Sequence, residues 1–231
     1  MMYYDESKVR IEFQENAAAG RRCGGCTACC NFLPMKADAY PSERVSHICN
    51  EMIAHGKMTP DRFVKMLPAF DKPANTPCKY QRHGKGCTVY EIRPFGCEHW
   101  SCRWLTNVDT ADLRRPDRSR VVIDVMPDFI TLTAEGLRAN VEVVQLWCDP
   151  ATPDAWREPS ILAYIERRAA EGIAAIIRFN SHDAITVFAP AMSEDGQWHE
   201  VRGQSHGEHL GRELFAGLAT AQKVKVVPQS G

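Results

Sequence analysis

The chain has 231 residues, 44% of them apolar, which is enough to form a sizeable core in one large or two small domains. Its 28 basic and 29 acidic side chains nearly balance, so no overall field attracts nucleic acid or an anionic membrane, and neither partner is expected. No stretch approaches the ~18 uncharged apolar residues that span a bilayer, and the charged start does not resemble a signal peptide, so we expect a cytoplasmic protein.

The cysteines are concentrated in the first half of the chain. Nine of the ten precede residue 103, and only Cys148 follows. In a reducing compartment, a cysteine-rich chain more often binds metal or performs redox chemistry than forms structural disulfides. A polar, proline-broken segment at 113–120 follows the cysteine-rich part. We therefore expect a metal-binding domain at 1–112 and a domain of unknown role at 113–231, with a soft boundary that also allows one integrated domain.

The first cysteine block is Cys23-Gly-Gly-Cys26-Thr-Ala-Cys29-Cys30. Its two glycines allow a tight turn in which the flanking thiols face one ion. The CxxCxxC spacing also opens the bacterial ferredoxin run that holds a 4Fe-4S cluster, but here a cysteine follows Cys29 directly, and Asn31 stands after it. Adjacent side chains project in different directions. Cys29 and Cys30 are therefore not expected to bind the same ion, and one of them can serve a second site.

Two helices are predicted between the cysteine blocks. The first spans 41–56, from Pro41 to a closing Gly56, and carries Cys49 on its apolar stripe, so Cys49 is interpreted as a core residue. The second spans about 60–67. The following stretch, 72–86, is rich in Pro, Gly and Lys and is predicted to place its cysteines on loops.

The second cysteine block supplies four more thiols, at Cys78, Cys87, Cys97 and Cys102. Together with the first block they can complete two tetrahedral sites or one multinuclear assembly. Cations close in sequence are expected to lower the thiol pKa values and to balance the charge of the thiolates. These cations are Arg21, Arg22, Lys79, Arg82, Lys85, Arg93 and Arg103.

Two histidines and two tryptophans near this block can also contribute to the site. His83 and His99 can replace one thiol as ligand, although eight thiols already suffice. Trp100 and Trp104 bracket Cys102 and can shield it from water.

The second half is predicted to be a mixed α+β part with a small, largely antiparallel sheet and two helices. Cys148 is interpreted as a core residue at a strand end. Asp124 and Asp128 are interpreted as a strand residue and a turn residue rather than a catalytic pair, and the pair His206 and His209 as part of a solvated loop. The expected strands are 120–126, 129–133, 141–147, 173–179 and 184–189, and the expected helices are 159–171 and about 208–222.

The cysteine order resembles a known family. The first block, then Cys78, then Gly86-Cys87-Thr88-Val89-Tyr90-Glu91-Ile92-Arg93-Pro94, then Cys97 and Cys102, is similar to the zinc- or iron-chelating CxxCxxCC domain of YkgJ-like cysteine-cluster proteins. The resemblance covers about residues 20–105. It implies that the metal ligands are Cys23, Cys26, Cys29, Cys30, Cys78, Cys87, Cys97 and Cys102.

The resemblance leaves the function open between several classes. Zinc is the usual occupant of closed four-thiolate sites, whereas the CxxCxxC spacing slightly favours iron, including a 4Fe-4S cluster. One relative, the flagellin lysine methylase, is associated with methyl transfer to protein lysines and with an iron–sulfur cluster. We therefore expect a metal-binding protein, with an iron–sulfur modifying enzyme or a thiol redox sensor using Cys29 and Cys30 as alternatives. The second half can offer a surface to a protein partner or substrate.

Overall fold

The computed structural model describes residues 20–35, 43–66, 71–90, 93, 97, 100–126, 128–134, 137–202 and 225–228. The chain divides into two compact units. The cysteine-rich unit comprises residues 1–111 and 115–118, and the sheet unit comprises residues 112–114 and 119–231. The predicted α+β fold class is confirmed. Within the described residues, no helix has the length and apolar character needed to cross a membrane.

The cysteine-rich unit consists of short elements joined by turns. Where the structure describes it, the longest helix has 12 residues and the two strands have two residues each. The elements are α1 (Ala28–Phe32), α2 (Glu43–Ala54), α3 (Pro60–Met66), β1 (Gln81–Arg82), β2 (Gly86–Cys87), α4 (Arg103–Thr106), a 3-10 turn (Val108–Thr110) and α5 (Pro116–Ser119), whose last residue belongs to the sheet unit.

Helix α2 follows the apolar stripe predicted from the sequence. Cys49 is 2% exposed and packs against Met58, so the interpretation of Cys49 as a core residue is confirmed. The helix ends at Ala54, two residues before the predicted closing residue Gly56, which has φ +66°. The Gly56 N–H donates to Ile53 O, and the next N–H donates to Met52 O, which satisfies the last carbonyl groups of the helix. Residues 41–42 lie outside the described residues.

A two-residue bridge closes the segment that contains α2 and α3. Met35 and Lys72 exchange two backbone hydrogen bonds, with N···O distances of 2.9 and 2.8 Å. The Lys72 ammonium also donates to Leu33 O. The chain therefore leaves the first cysteine block and returns toward the second at the same place.

The sheet unit is built on a mixed seven-stranded sheet. The strands are β3 (Val121–Ile123), β4 (Asp128–Ala134), β5 (Leu137–Cys148), β6 (Ala174–Arg178), β7 (Ala184–Phe188), β8 (His199–Arg202) and β9 (Lys225–Pro228). The long strand β5 pairs with four others, β3, β4, β6 and β9, while β7 pairs with β6 and β8. All of these pairs are antiparallel except β5 with β6.

Helix α6 (Pro159–Ala170) connects the two parallel strands. Pro159 is at its first turn, where no backbone donor is required, and Gly172, at φ +82°, follows its end. Ile161, Tyr164 and Ile165 are almost fully buried, at the spacing of one helical face. Strands β5 and β6 contribute equally buried side chains to the core, such as Leu146 and Ile177.

Most predicted elements of the second half are present with shifted ends. The strand expected over 120–126 is shorter, because the chain leaves the sheet after Ile123, and Asp124 accepts a hydrogen bond from the Met126 N–H at 3.0 Å. Asp128 opens β4 and accepts a bond from Gln145 Nε2 at 2.8 Å. The parallel pair and strand β8 were not predicted. The helix expected at 208–222 lies outside the described residues.

Candidate metal centre

All eight cysteines of the two blocks line one cavity in the cysteine-rich unit. The cavity has a volume of about 120 Å³, and much of its remaining wall is apolar or aromatic, including Leu33, Trp100 and Trp104. The structure therefore brings together cysteines that lie up to 79 positions apart in the chain. They are Cys23, Cys26, Cys29, Cys30, Cys78, Cys87, Cys97 and Cys102.

The first block forms a turn followed by a short helix. The Cys26 N–H donates to Cys23 O at 2.8 Å, across a turn in which Gly24 has φ +43°. Helix α1 then carries Cys29 and Cys30 on successive positions. The glycine turn predicted from the sequence is thus present.

Glycines bring the β1–β2 hairpin into backbone contact with this turn. A Cβ atom placed on Gly86 would lie 2.2 Å from Gly24 O, and one placed on Gly25 would lie 2.5 Å from Gly84 O. No side chain fits at either contact. Since β2 contains Cys87, this close approach holds Cys87 beside the first cysteine block.

Arg21 fastens the start of the first block to the segment after Cys102. Its guanidinium donates to Trp104 O at 2.5 Å, to Thr110 O at 2.7 Å and to Thr110 Oγ1 at 3.0 Å. It also lies 4.8 Å from the centre of the Trp104 ring. Charged donors of this kind form the stronger class of hydrogen bond. The sequence placed Arg21 near the site as a charge partner, but its contacts give it a positioning role.

A separate contact joins the second block to helix α1. The Cys78 N–H donates to Cys30 O at 2.9 Å. Cys78 then leads into the hairpin, where Gln81 pairs with Cys87 and the Thr88 N–H donates to Tyr80 O at 2.9 Å. Backbone bonds therefore fix Cys30, Cys78 and Cys87 relative to one another.

Burial controls the protonation of most of these thiols in the chain alone. It raises the pKa of Cys26 to about 11, and together with the smaller effect of neighbouring thiolates it raises the pKa of Cys30 and of Cys97 to about 12. The expectation that nearby cations lower the thiol pKa values is wrong for these residues, because desolvation outweighs the attraction.

The thiols of Cys29 and Cys102 lie in direct contact. A hydrogen bond between them raises the pKa of Cys29 and lowers the pKa of Cys102, so Cys29 donates and Cys102 accepts. Backbone N–H groups near Leu105 and Trp104 also favour the thiolate form of Cys102. Cys102 is thus the thiol that this chain prepares best to act as an anionic ligand.

Among the described residues, Arg93, Lys72 and Arg115 act on the cysteines, and the sequence pattern predicted only Arg93. Arg93 lowers the pKa of Cys97, partly offsetting burial, and stacks on Tyr90 at 3.7 Å from the ring centre. Lys72 also acts on Cys97, and Arg115 acts on Cys23. Lys72 and Arg115 were missed because they lie outside the two blocks in sequence.

Arg93 has an unpaired donor. Its Nε atom is buried, and it has no hydrogen-bond partner within the part of the chain that the structure describes. Arg93 also lines the cavity. An acceptor at this wall would therefore satisfy it.

The remaining candidate residues lie elsewhere. Cys49 and Cys148 do not line the cavity, and Cys148, 1% exposed, has the core position predicted for it. His83 is exposed and does not line the cavity either. Four further residues named from the sequence lie outside the described residues: Pro94, His99, His206 and His209.

The cysteines surround a space rather than converge on a point. Among the described residues, no group of three or more His, Cys, Asp or Glu side chains is arranged to hold a single metal ion.

Comparison with known proteins finds no matching family model, no matching curated protein and no matching solved structure. The resemblance to the CxxCxxCC family thus stays a prediction from the cysteine order.

Proposed function

We propose that the cysteine-rich unit is a metal-binding module whose ligands are the eight cysteines of the two blocks. The observation that carries this proposal is that all eight line a single cavity. Eight cysteines from two distant segments would not meet in one place to fill a core, because ordinary core positions are occupied by larger apolar side chains. The proposed ligands are Cys23, Cys26, Cys29, Cys30, Cys78, Cys87, Cys97 and Cys102.

The spacing of the cysteines favours an iron–sulfur cluster over isolated zinc ions. With zinc–sulfur bonds of ~2.3 Å, the four sulfurs of a tetrahedral zinc site lie about 3.8 Å apart and leave no space between them. Here the cysteines surround about 120 Å³, and no described group of three is arranged for one ion. A polynuclear cluster is larger and contributes its own sulfides, so its protein ligands stand farther apart.

The wall of the cavity also fits such a group. The unpaired Nε donor of Arg93 can bond to an anionic sulfur, and Trp100 and Trp104 contribute aromatic surface to the cavity wall. A cluster bound here would supply one-electron or Lewis-acid chemistry. Arg93 and Lys72 would offset the negative charge that thiolates and sulfides bring into the cavity.

Metal binding must displace protons from the buried thiols. Since burial raises the pKa of Cys26, Cys30 and Cys97, these thiols are protonated near pH 7 in the chain alone. The metal competes with those protons, so its apparent affinity falls as the pH falls.

The test is metal and acid-labile sulfide analysis of the full chain purified without oxygen. We expect iron with matching sulfide and an absorbance band near ~400 nm, as iron–sulfur proteins show. Cys30→Ala should lose metal, whereas Cys148→Ala, which removes a buried thiol outside the cavity, should keep it. Zinc without sulfide would replace the iron–sulfur assignment with the zinc one. A folded chain without any metal would refute the metal-binding function.

A further inference from the structure

Arg93 has a position in the cavity wall that the thiols do not explain. Its Nε atom is buried and has no hydrogen-bond partner among the described residues, although it lines the same cavity as all eight cysteines. We propose that Arg93 donates this Nε–H to an inorganic sulfide of the bound cluster and thereby raises the reduction potential of the cluster. The inference rests on the proposed function and names a residue that sets the redox behaviour of the site.

The acceptor for this donor is not one of the thiols. All eight cysteines belong to the described residues, and none of their sulfurs accepts a hydrogen bond from Arg93 Nε. A buried donor without an acceptor is costly, so the group that binds in the cavity is expected to supply one. An iron–sulfur cluster brings its own sulfides, which are anionic acceptors. A zinc ion brings none.

Tyr90 restrains the guanidinium of Arg93. The Cζ atom of Arg93 lies 3.7 Å from the centre of the Tyr90 ring, the shortest such contact among the described residues. Tyr90 also lines the cavity. Because the N–H groups lie in the plane of the guanidinium, stacking that restrains this plane also restrains the direction of the Nε–H. The donor is therefore held in place before the acceptor arrives.

The other unpaired polar atoms of this unit cannot have the same role. Asn31 Oδ1 and Gln81 Oε1 are buried without a partner within the described residues, but both are oxygens, which accept hydrogen bonds. Neither residue lines the cavity. Lys72, which does line the cavity, already donates to Leu33 O. Among the described cavity residues, Arg93 is thus the one with a buried and unpaired donor.

A hydrogen bond from Arg93 would act differently on the two redox states. One-electron reduction adds one negative charge to the cluster, and a donor at a sulfide stabilises the more negative state more strongly. Arginine keeps its proton and its charge throughout, so no bond to hydrogen is made or broken. Its positive charge raises the potential as well. The test must therefore separate the hydrogen bond from the charge.

The experiment compares two uncharged variants of the full chain, purified without oxygen. Gln has an amide nitrogen on Cδ, where Arg has Nε, whereas Met has a methyl group at the matching position. Arg93→Met should reduce the ratio of reduced to oxidised cluster at a fixed potential about tenfold, which is about 59 mV for one electron. Arg93→Gln should lie between Arg93→Met and the wild type, because it keeps the donor without the charge. Titration of the visible absorbance against electrode potential measures both.

A control variant and a measurement on the wild type support this comparison. Arg62, an exposed residue of α3, does not line the cavity, so Arg62→Met should keep the wild-type potential. In the wild-type chain with ¹⁵N-labelled arginine, the Nε–H resonance of Arg93 should move when iron and sulfide bind, and it should then exchange with solvent more slowly than that of Arg62. This second measurement does not depend on variants that fold.

The outcomes distinguish this inference from the proposed function. Equal potentials for Arg93→Met and Arg93→Gln, or an Arg93 resonance that cluster binding leaves unchanged, would overturn the hydrogen bond. Zinc without sulfide would also overturn it, because no sulfide acceptor is present, while metal binding itself would stand. A wild-type chain that binds no metal at all would instead refute the proposed function.

Discussion

The two units of this protein are stabilised in different ways. The sheet unit has a continuous apolar core, in which Leu146, Tyr164, Ile165 and Ile177 are all inaccessible to solvent. The described part of the cysteine-rich unit has short helices and two-residue strands, and three of its few buried apolar residues are themselves cysteines: Cys26, Cys49 and Cys102.

This difference indicates where each unit obtains its stability. A unit with extensive apolar burial can fold from its own sequence, because burial contributes about 25 cal/mol per Å². A unit whose interior is a cavity lined by thiols has less of this contribution, so under the proposed function we expect its stability to depend on bound metal. The following predictions test this contrast, beginning with the largest expected effect.

Removing the metal should unfold one unit and spare the other. Structural metal sites contribute up to about 10 kcal/mol or more to folding, so a strong chelator under reducing conditions should expose the amides of the cysteine-rich unit. Hydrogen exchange followed by mass spectrometry measures this for each segment. Peptides from β5 and β6 serve as the internal control and should keep their protection. Equal protection of the amides in both units after metal loss would show that the cysteine-rich unit does not depend on metal for its stability.

Truncating the core of the sheet unit should destabilise that unit and leave the cysteine-rich unit unchanged. Leu146→Ala removes a side chain with 0% exposure and should cost the sheet unit about 2–5 kcal/mol. Denaturant unfolding measures the loss, and metal analysis should show an unchanged metal content. Phe129→Ala, at a residue that is 59% exposed, is the matched control and should stay within about 0.5 kcal/mol of the wild type.

The glycine contact inside the cysteine-rich unit should be sensitive to a single methyl group. Gly86→Ala places a Cβ atom 2.2 Å from Gly24 O, whereas Gly84→Ala meets nothing within 4 Å, although both residues have positive φ. Each variant bears a conformational cost of about 1 kcal/mol, and Gly86→Ala adds overpacking of about 1–3 kcal/mol. Metal release to a chromogenic chelator should be faster for Gly86→Ala. Identical release rates would mean that the hairpin does not position the site.

The smallest effect is expected from an ion pair at the edge of this unit. Arg115 donates to Asp117 at 2.6 and 2.7 Å and holds the pKa of this carboxyl below its ordinary value. The pair therefore stabilises the fold above the ordinary carboxyl pKa, and this contribution is lost as the pH falls through the lowered pKa. Asp117→Asn should cost at most about 1 kcal/mol at neutral pH, and the difference from the wild type should vanish in acid. A pH-independent difference would contradict the assignment.

Much of the fold could be predicted because its signals are local. Helices α2 and α6 combine an apolar stripe with a terminal glycine at positive φ, and the strands are short runs of branched residues. The parallel pairing of β5 with β6 could not be predicted, because it depends on how α6 packs back onto the sheet. No residue in either strand specifies its partner.

The candidate site, like the fold, could be predicted only where its residues are close together in the sequence. The cysteines and Arg93 were found from their spacing in the two blocks. Lys72 and Arg115 reach the cysteines only through folding, since one lies before the second block and the other after it. The direction of the thiol pKa shifts was predicted wrongly because charges are visible in a sequence, whereas burial is a property of the folded chain.

The bridge between Met35 and Lys72 has a consequence for sequence variation. The chain enters and leaves the intervening segment at one point, fixed by two backbone hydrogen bonds that require no particular side chain. Insertions or deletions between Met35 and Lys72, away from the Cys49 contact, therefore change the length of this segment without displacing the flanking cysteine blocks, since lengthening a loop costs little free energy. This segment is therefore a suitable position for an engineered insertion.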